Sequence, residues 1–219
     1  MEIMGKNRKS VLIVVSVCLL FNIYLMVNNV VLRYRISIIG NDGNESRISE
    51  IKSAHMLHTV NDNYQNCGLR LEDVVLTDIA NHQSYDIGCL LDSIGQEDVI
   101  MVCRFNQHDC ERCVSYAVEK ASEFAGKNNA ALYIWGWYDD DMVLKAIKNR
   151  YGLSGKVRWH NVAELDLSIE QHGNPYYMIV TKGGTAVDFF TPDKLNPQMT
   201  DKYFSMMEEK WRNNICHWD

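Results

Sequence analysis

The run Asp98-Val99-Ile100-Met101-Val102-Cys103-Arg104-Phe105-Asn106-Gln107-His108-Asp109-Cys110-Glu111-Arg112-Cys113-Val114 constrains this chain most. Its first half is apolar and rich in β-branched residues, which predicts a buried strand. A short polar turn leads to Cys110-x-x-Cys113. Apolar residues then recur at helical spacing (Val114, Ala117, Val118, Ala121, Phe124 and Ala125), with Gly126 as the expected stop. A dithiol where a strand passes into a helix suits thiol–disulfide chemistry. The helix N-terminus offers free N–H groups and a partial positive charge, both of which favour a thiolate. Moving a cysteine pKa from about 8.5 to about 7 takes only ~2 kcal/mol of differential stabilisation.

Composition sets the compartment and excludes some partners. The 219 residues allow one domain plus an appendage, and the formal charge is −6. Five of the 22 Lys and Arg lie in the first 35 residues, against one of the 28 acids, so the remainder is strongly acidic. An acidic body without a basic stripe argues against nucleic acid as a partner. Val11 to Leu32 contains no charged residue and is about as long as a bilayer crossing. A cleaved signal would be shorter and end in small residues. Residues 1–35 are therefore expected to be an uncleaved signal anchor with its membrane span at about 11–32. Lys6, Arg8 and Lys9 place the N-terminus inside and the body on the exported side, although Arg33 and Arg35 leave only a slight bias.

Residues 36–66 are polar and read as a tether, leaving 67–219 as the folded domain. Within that domain a short strand is expected at Leu71 to Asp78, a turn at Asn81 to Ser84 and a brief amphipathic segment at Ile87 to Ile94. Further strands are expected at Ala131 to Trp137, near Val157–Trp159, and at Tyr176 to Thr181 and Thr185 to Phe190, the last two joined by Lys182-Gly183-Gly184. Asp139-Asp140-Asp141 should cap a helix running to about Arg150. Pro197 should open the last helix, with Met199, Tyr203, Met206, Met207 and Trp211 on one face. Alternating strands and helices followed by a hairpin imply an α/β fold with a mixed sheet and helices on both sides.

This order, the Cys110-x-x-Cys113 junction and Gly173-Asn174-Pro175 before the hairpin resemble the thioredoxin-like fold. More specifically, they resemble the membrane-anchored redoxins of bacterial envelopes (the TlpA/ResA-like group), over roughly residues 68–212. The resemblance implies a three-layer fold after one transmembrane helix. It also implies a membrane-tethered thiol–disulfide oxidoreductase that acts on disulfides of exported proteins, is recharged by an upstream thiol donor, and needs no cofactor or metal. Cys110 would be the nucleophile and Cys113 the resolving thiol. Pro175 would be a cis-proline beside them, with Asn174 and Asp109 in contact with substrate.

The chain departs from that pattern in several places. Asp109 replaces the usual tryptophan, which would set a carboxylate beside the thiolate. Arg104 replaces the buried acid six residues before the nucleophile. It either reaches under the dithiol as a fixed cation or faces outward and pairs with an acid. His108 is a proton donor, a metal ligand or a solvated turn residue. A copper metallochaperone, or a non-catalytic binding domain on the same fold, is the alternative function, and copper binding would need His160 or His172 as a distal ligand. A peroxiredoxin is disfavoured because Gln107 stands three residues before Cys110 in place of threonine. Cys67 and Cys89 are candidates for a structural disulfide, Cys103 for the core, and Cys216 for an idle surface thiol.

Overall fold

The computed structural model describes residues 24–26, 50, 53–94, 99–153 and 157–212. It separates the chain into two units, Met1–Ala54 and His55–Asp219. In the first unit the described residues are helical, and Tyr24, Leu25 and Met26 are exposed. The expected span at 11–32 lies outside the described residues except for these three. Among the described residues no helix is long and apolar enough to cross a membrane.

The second unit is built on one eight-stranded mixed sheet. Its strands are β1 (Leu69–Arg70), β2 (Val75–Asp78), β3 (Ser84–Asp86), β4 (Val99–Asn106), β5 (Leu132–Trp137), β6 (Val157–Val162), β7 (Tyr176–Thr181) and β8 (Thr185–Phe190), in the order β1-β8-β7-β4-β5-β6-β2-β3. The strand of the opening run, β4, lies inside the sheet. It pairs parallel with β5 (Cys103 opposite Ile134) and antiparallel with β7 (Cys103 opposite Tyr177). Parallel neighbours need a long crossover. The helix α3 (Glu111–Asn128) joins β4 to β5, and α4 (Asp141–Tyr151) joins β5 to β6. A β-α-β unit carrying the dithiol, then an antiparallel hairpin and a closing helix, α5 (Pro197–Arg212), make the topology thioredoxin-like.

Side chains alternate across β4 and so divide the core. Met101, Cys103 and Phe105 pack with Val114, Ala117, Val118 and Ala121 of α3, Leu144 of α4, and Tyr203, Phe204 and Met207 of α5. Ile100 and Val102 face the other way, onto Trp135, Tyr176, Met178 and the apolar side of α2 (Ile87–Ser93). The sheet is therefore the middle of three layers.

Several sequence expectations are corrected here. The polar tether does not extend to residue 66. A helix covers 53–66, and from His55 onward (α1) it belongs to the folded unit. Its docking is polar, which hid it from a search for apolar periodicity. Asn63 Oδ1 accepts from Phe189 N at 2.8 Å, and its amide donates to Phe189 O. Asn66 Oδ1 accepts from Ser168 N at 3.1 Å. The apolar residues Met56, Leu57, Val60 and Tyr64 are exposed instead. Gly126 lies inside α3, and the helix ends where Asn129 takes the left-handed conformation (φ 53°). On α5 the buried positions are Thr200, Tyr203, Phe204 and Met207, while Met206 is half exposed.

Candidate active site

The site is assembled where β4 ends. Asn106 organises the turn: its side-chain oxygen accepts from His108 N at 2.7 Å, and its own N–H donates to Asp109 Oδ2 at 2.9 Å. Asp109 N returns a bond to Asn106 O at 3.1 Å. The turn delivers Cys110 as the N-cap of α3 with non-helical φ −59° and ψ 117°. Its carbonyl accepts from Cys113 N at 2.8 Å and Val114 N at 2.9 Å. Cys110 is exposed and Cys113, one turn on, is half-buried.

The two thiols are driven apart electrostatically. The Cys110 pKa falls to about 7, chiefly through the hydrogen bond from the Cys113 thiol. A bond from the backbone N–H of Cys113 adds to this, burial opposes it, and the Arg112 N–H and Lys194 make the smaller remaining contributions. Cys113 moves up, first through burial and then through its bond to Cys110. An exposed thiolate beside a protonated thiol is the asymmetry that exchange chemistry needs.

Lys194 is the residue that sequence reasoning missed as part of the site. Its Nζ lies 3.6 Å from Cys110 Sγ. It comes from the loop between β8 and α5, 84 residues away in sequence, so neither motif nor spacing signals it.

The other expected residues fall elsewhere. Arg104 does not reach under the dithiol. It lies on the α2 face of the sheet, 1 % exposed, with Nε on Glu170 Oε1 at 2.7 Å and its other nitrogens on Val162 O and Ala163 O. It does pair with an acid, but inside the protein, because even-numbered β4 residues point away from α3. The Asp109 carboxyl is folded back onto Asn106, and burial raises its pKa. It acts on buried Cys103, whose thiol is pushed far up by burial and then by that carboxylate. The leading influences on Cys110 do not include it. His108 is exposed on the turn.

Pro175 is buried and begins the approach to β7, but among the described residues there is no cis peptide bond, so Asn174–Pro175 is trans. Gly173 in the left-handed region (φ 62°) reverses the chain before it, after a 3₁₀ turn at Ser168–His172. Asn174 is exposed and donates to His172 O at 3.0 Å. It also lines a pocket of about 240 Å³ with His55, His58, Asp62, His172 and Thr191.

His160 is buried against Tyr85, and His172 meets Asp62 at 3.2 Å. Among the described residues no three His, Cys, Asp or Glu side chains stand together as a metal site. Cys67 and Cys89 are both free and exposed rather than paired, and the Cys89 thiol donates to Asp86. Cys103 is buried, and Cys216 lies outside the described residues.

No protein-family model matches the chain, and no curated protein does. Solved structures do resemble it. A thiol:disulfide interchange protein from Bacteroides sp. is 12 % identical with a TM-score of 0.45, over 65 % of this chain and 88 % of that one. A secreted Mycobacterium tuberculosis disulfide oxidoreductase homologous to E. coli DsbE is 15 % identical with a TM-score of 0.44, over 63 % and 97 %. A thiol peroxidase from Chromobacterium violaceum is 12 % identical with a TM-score of 0.44, over 66 % and 89 %. The thioredoxin-like assignment itself rests on the strand order and the β4–α3 junction.

Proposed function

We propose that this protein is a thiol–disulfide oxidoreductase working through Cys110 and Cys113, held to a membrane by its N-terminal apolar run and acting on disulfides of exported proteins. The observation that carries the reading is the exposed, low-pKa Cys110 on the N-terminus of α3, with protonated Cys113 one turn inward. The Cys110 thiolate attacks one sulfur of a substrate disulfide, forms a mixed disulfide and expels the other sulfur as a thiolate, which takes up a proton. Cys113 then loses its proton and attacks Cys110 Sγ. The second substrate thiolate leaves, and a Cys110–Cys113 disulfide remains. Two electrons have passed from the dithiol to the substrate, and a thiol donor returns two.

The test is to equilibrate the full-length protein in glutathione redox buffers and count free thiols by alkylation and mass spectrometry. A reversible two-electron step should map to Cys110 and Cys113. Cys110→Ser should abolish disulfide reduction, whereas Cys113→Ser should accumulate a mixed disulfide on Cys110. Failure of the two thiols to pair anywhere in that range would refute the proposal. In intact cells, a membrane-impermeant alkylating reagent should reach Cys110 if the domain is exported, and protection from it would reverse the orientation.

A further inference from the structure

Lys194 stands out among the described lysines because its Nζ meets a thiol sulfur. Lys120 is held by Asp201, Lys127 by Glu208 and Lys210 by Asp188. Lys194 forms no ion pair among the described residues, although the body is strongly acidic, and its one hydrogen bond goes to Cys110 Sγ. The carboxylates adjacent in sequence to the dithiol and to Lys194 are engaged elsewhere. Glu111 meets Arg150, Asp109 is folded onto Asn106, and Asp193 Oδ1 accepts from Leu195 N at 2.8 Å.

The loop carrying Lys194 is also fixed on both sides. Asp193 N donates to the hydroxyl of fully buried Thr200, and Asp193 O accepts from Asn196 N at 3.1 Å. A lysine anchored in this way starts near its working position, so less conformational entropy is lost when it holds the sulfur.

We infer that Lys194 is a catalytic residue of the dithiol site, its ammonium stabilising the Cys110 thiolate. This rests on the oxidoreductase reading. In the attacking step the cation increases the fraction of Cys110 present as thiolate. In the recharging direction, a donor thiolate attacks Cys110 Sγ of the internal disulfide and Cys113 leaves as thiolate. The donor's second thiol then attacks the donor sulfur of the mixed disulfide, and Cys110 leaves as thiolate. Lys194, whose Nζ bonds Cys110 Sγ, stabilises that leaving group directly, and its charge acts on Cys113 as well. No proton moves from the lysine.

The groups facing Cys110 are Cys113 and the Arg112 N–H from α3, and Lys194 from the β8–α5 loop. Glu111 and Arg112 flank the dithiol on α3, and His108 and Asp109 precede it.

The experiment measures the rate of Cys110 alkylation by neutral iodoacetamide against pH, on the full-length reduced protein, for wild type, Lys194→Met, Lys194→Arg and the exposed control Lys202→Met. The wild-type midpoint should lie near 7. Lys194→Met should raise it and slow the reaction at pH 6.5 by about three- to tenfold. Its redox midpoint should become more reducing, because the reduced form loses stabilisation. Lys194→Arg should stay near wild type and Lys202→Met should match it. An unchanged midpoint in Lys194→Met, with the Cys110–Cys113 pair still forming, overturns the role of Lys194 and leaves the oxidoreductase standing. If the wild-type pair never forms, the underlying reading fails.

Discussion

The two faces of the central sheet solve opposite problems. The α3 face is almost wholly apolar, and its reactive groups sit at the rim: an exposed cysteine, a half-buried one and a surface lysine. The α2 face buries charge. Arg104 and Glu170 meet there with side chains 1 % and 5 % exposed, and Glu170 also accepts from Tyr176 OH at 3.2 Å and Leu165 N at 2.9 Å. The proposed chemistry thus sits where desolvation is slight, and the costly charge pair sits on the opposite face of the sheet. Strongly buried ionisable groups need not mark the active site. Here they tie the loop after β6 to the sheet, while the proposed site is made from a helix terminus and a lysine.

Breaking the charge pair gives the largest expected effect. Glu170→Ala leaves Arg104 buried without its carboxylate and also frees Leu165 N and Tyr176 OH. A cost of about 3–5 kcal/mol follows for removing one partner of a buried pair. Urea unfolding should show that loss, while the alkylation midpoint of Cys110 in the folded protein stays put. A large shift of that midpoint would show that the two faces are electrically coupled and that the contrast between them is wrong.

The second effect is one of pH. His160, also on the α2 side, shares a 2.6 Å hydrogen bond with Tyr85 and stacks on Tyr133. Burial is the main reason its pKa drops from 6.5 to about 4. Asp78 pulls it up, and Arg158 and Lys148 push it further down. The unfolded chain binds this proton at about pH 6.5 and the folded one only near 4, so the unfolded state gains protons first as pH falls. The stabilisation is present above pH 6.5 and is lost between 6.5 and 4, up to about 3 kcal/mol. Urea unfolding at pH 7 and 4.5 should register it, and His160→Phe should flatten the difference. Asp109, with its raised carboxyl pKa, acts in the opposite sense and partly offsets the loss. Equal pH slopes in wild type and His160→Phe would remove His160 from the account.

Much of the fold was legible because its signals are local. β4 and α3 follow from one apolar run and one helical period, and α4 from its acids, with Asp140 Oδ1 accepting from Met142 N as the cap. Cys110 and Cys113 are legible as a motif at a junction. What stayed hidden depends on three-dimensional neighbours. Alternation along β4 does put Arg104 opposite Cys103, but which face α3 would cover is set by the crossover, not by the residues. Lys194 is brought to the sulfur by the path of β8. α1 docks through Asn63 and Asn66, whose amides mimic backbone partners and leave no apolar stripe to count.

The smallest effect, that of Gly136→Ala, tests the apolar face by packing alone. Gly136 on β5 shares that face with Leu132 and Ile134, and a Cβ there would meet Leu144 Cδ1 at 2.5 Å and Cδ2 at 2.9 Å. Leu144 is fully buried, so its side chain cannot swing into solvent and must shift within the core. Gly136→Ala should therefore cost about 1–3 kcal/mol by overpacking. Leu144→Ala alone should cost about 2–5 kcal/mol by leaving a cavity. In the double variant the added methyl occupies part of that cavity, and the combined loss should be smaller than the sum of the two. Because no titrating group is touched, each loss should be the same at pH 7 and pH 4.5, unlike that of His160→Phe. Additive losses would mean that Leu144 does not sit over Gly136. A strong pH dependence would mean that the apolar face senses the buried charges behind the sheet.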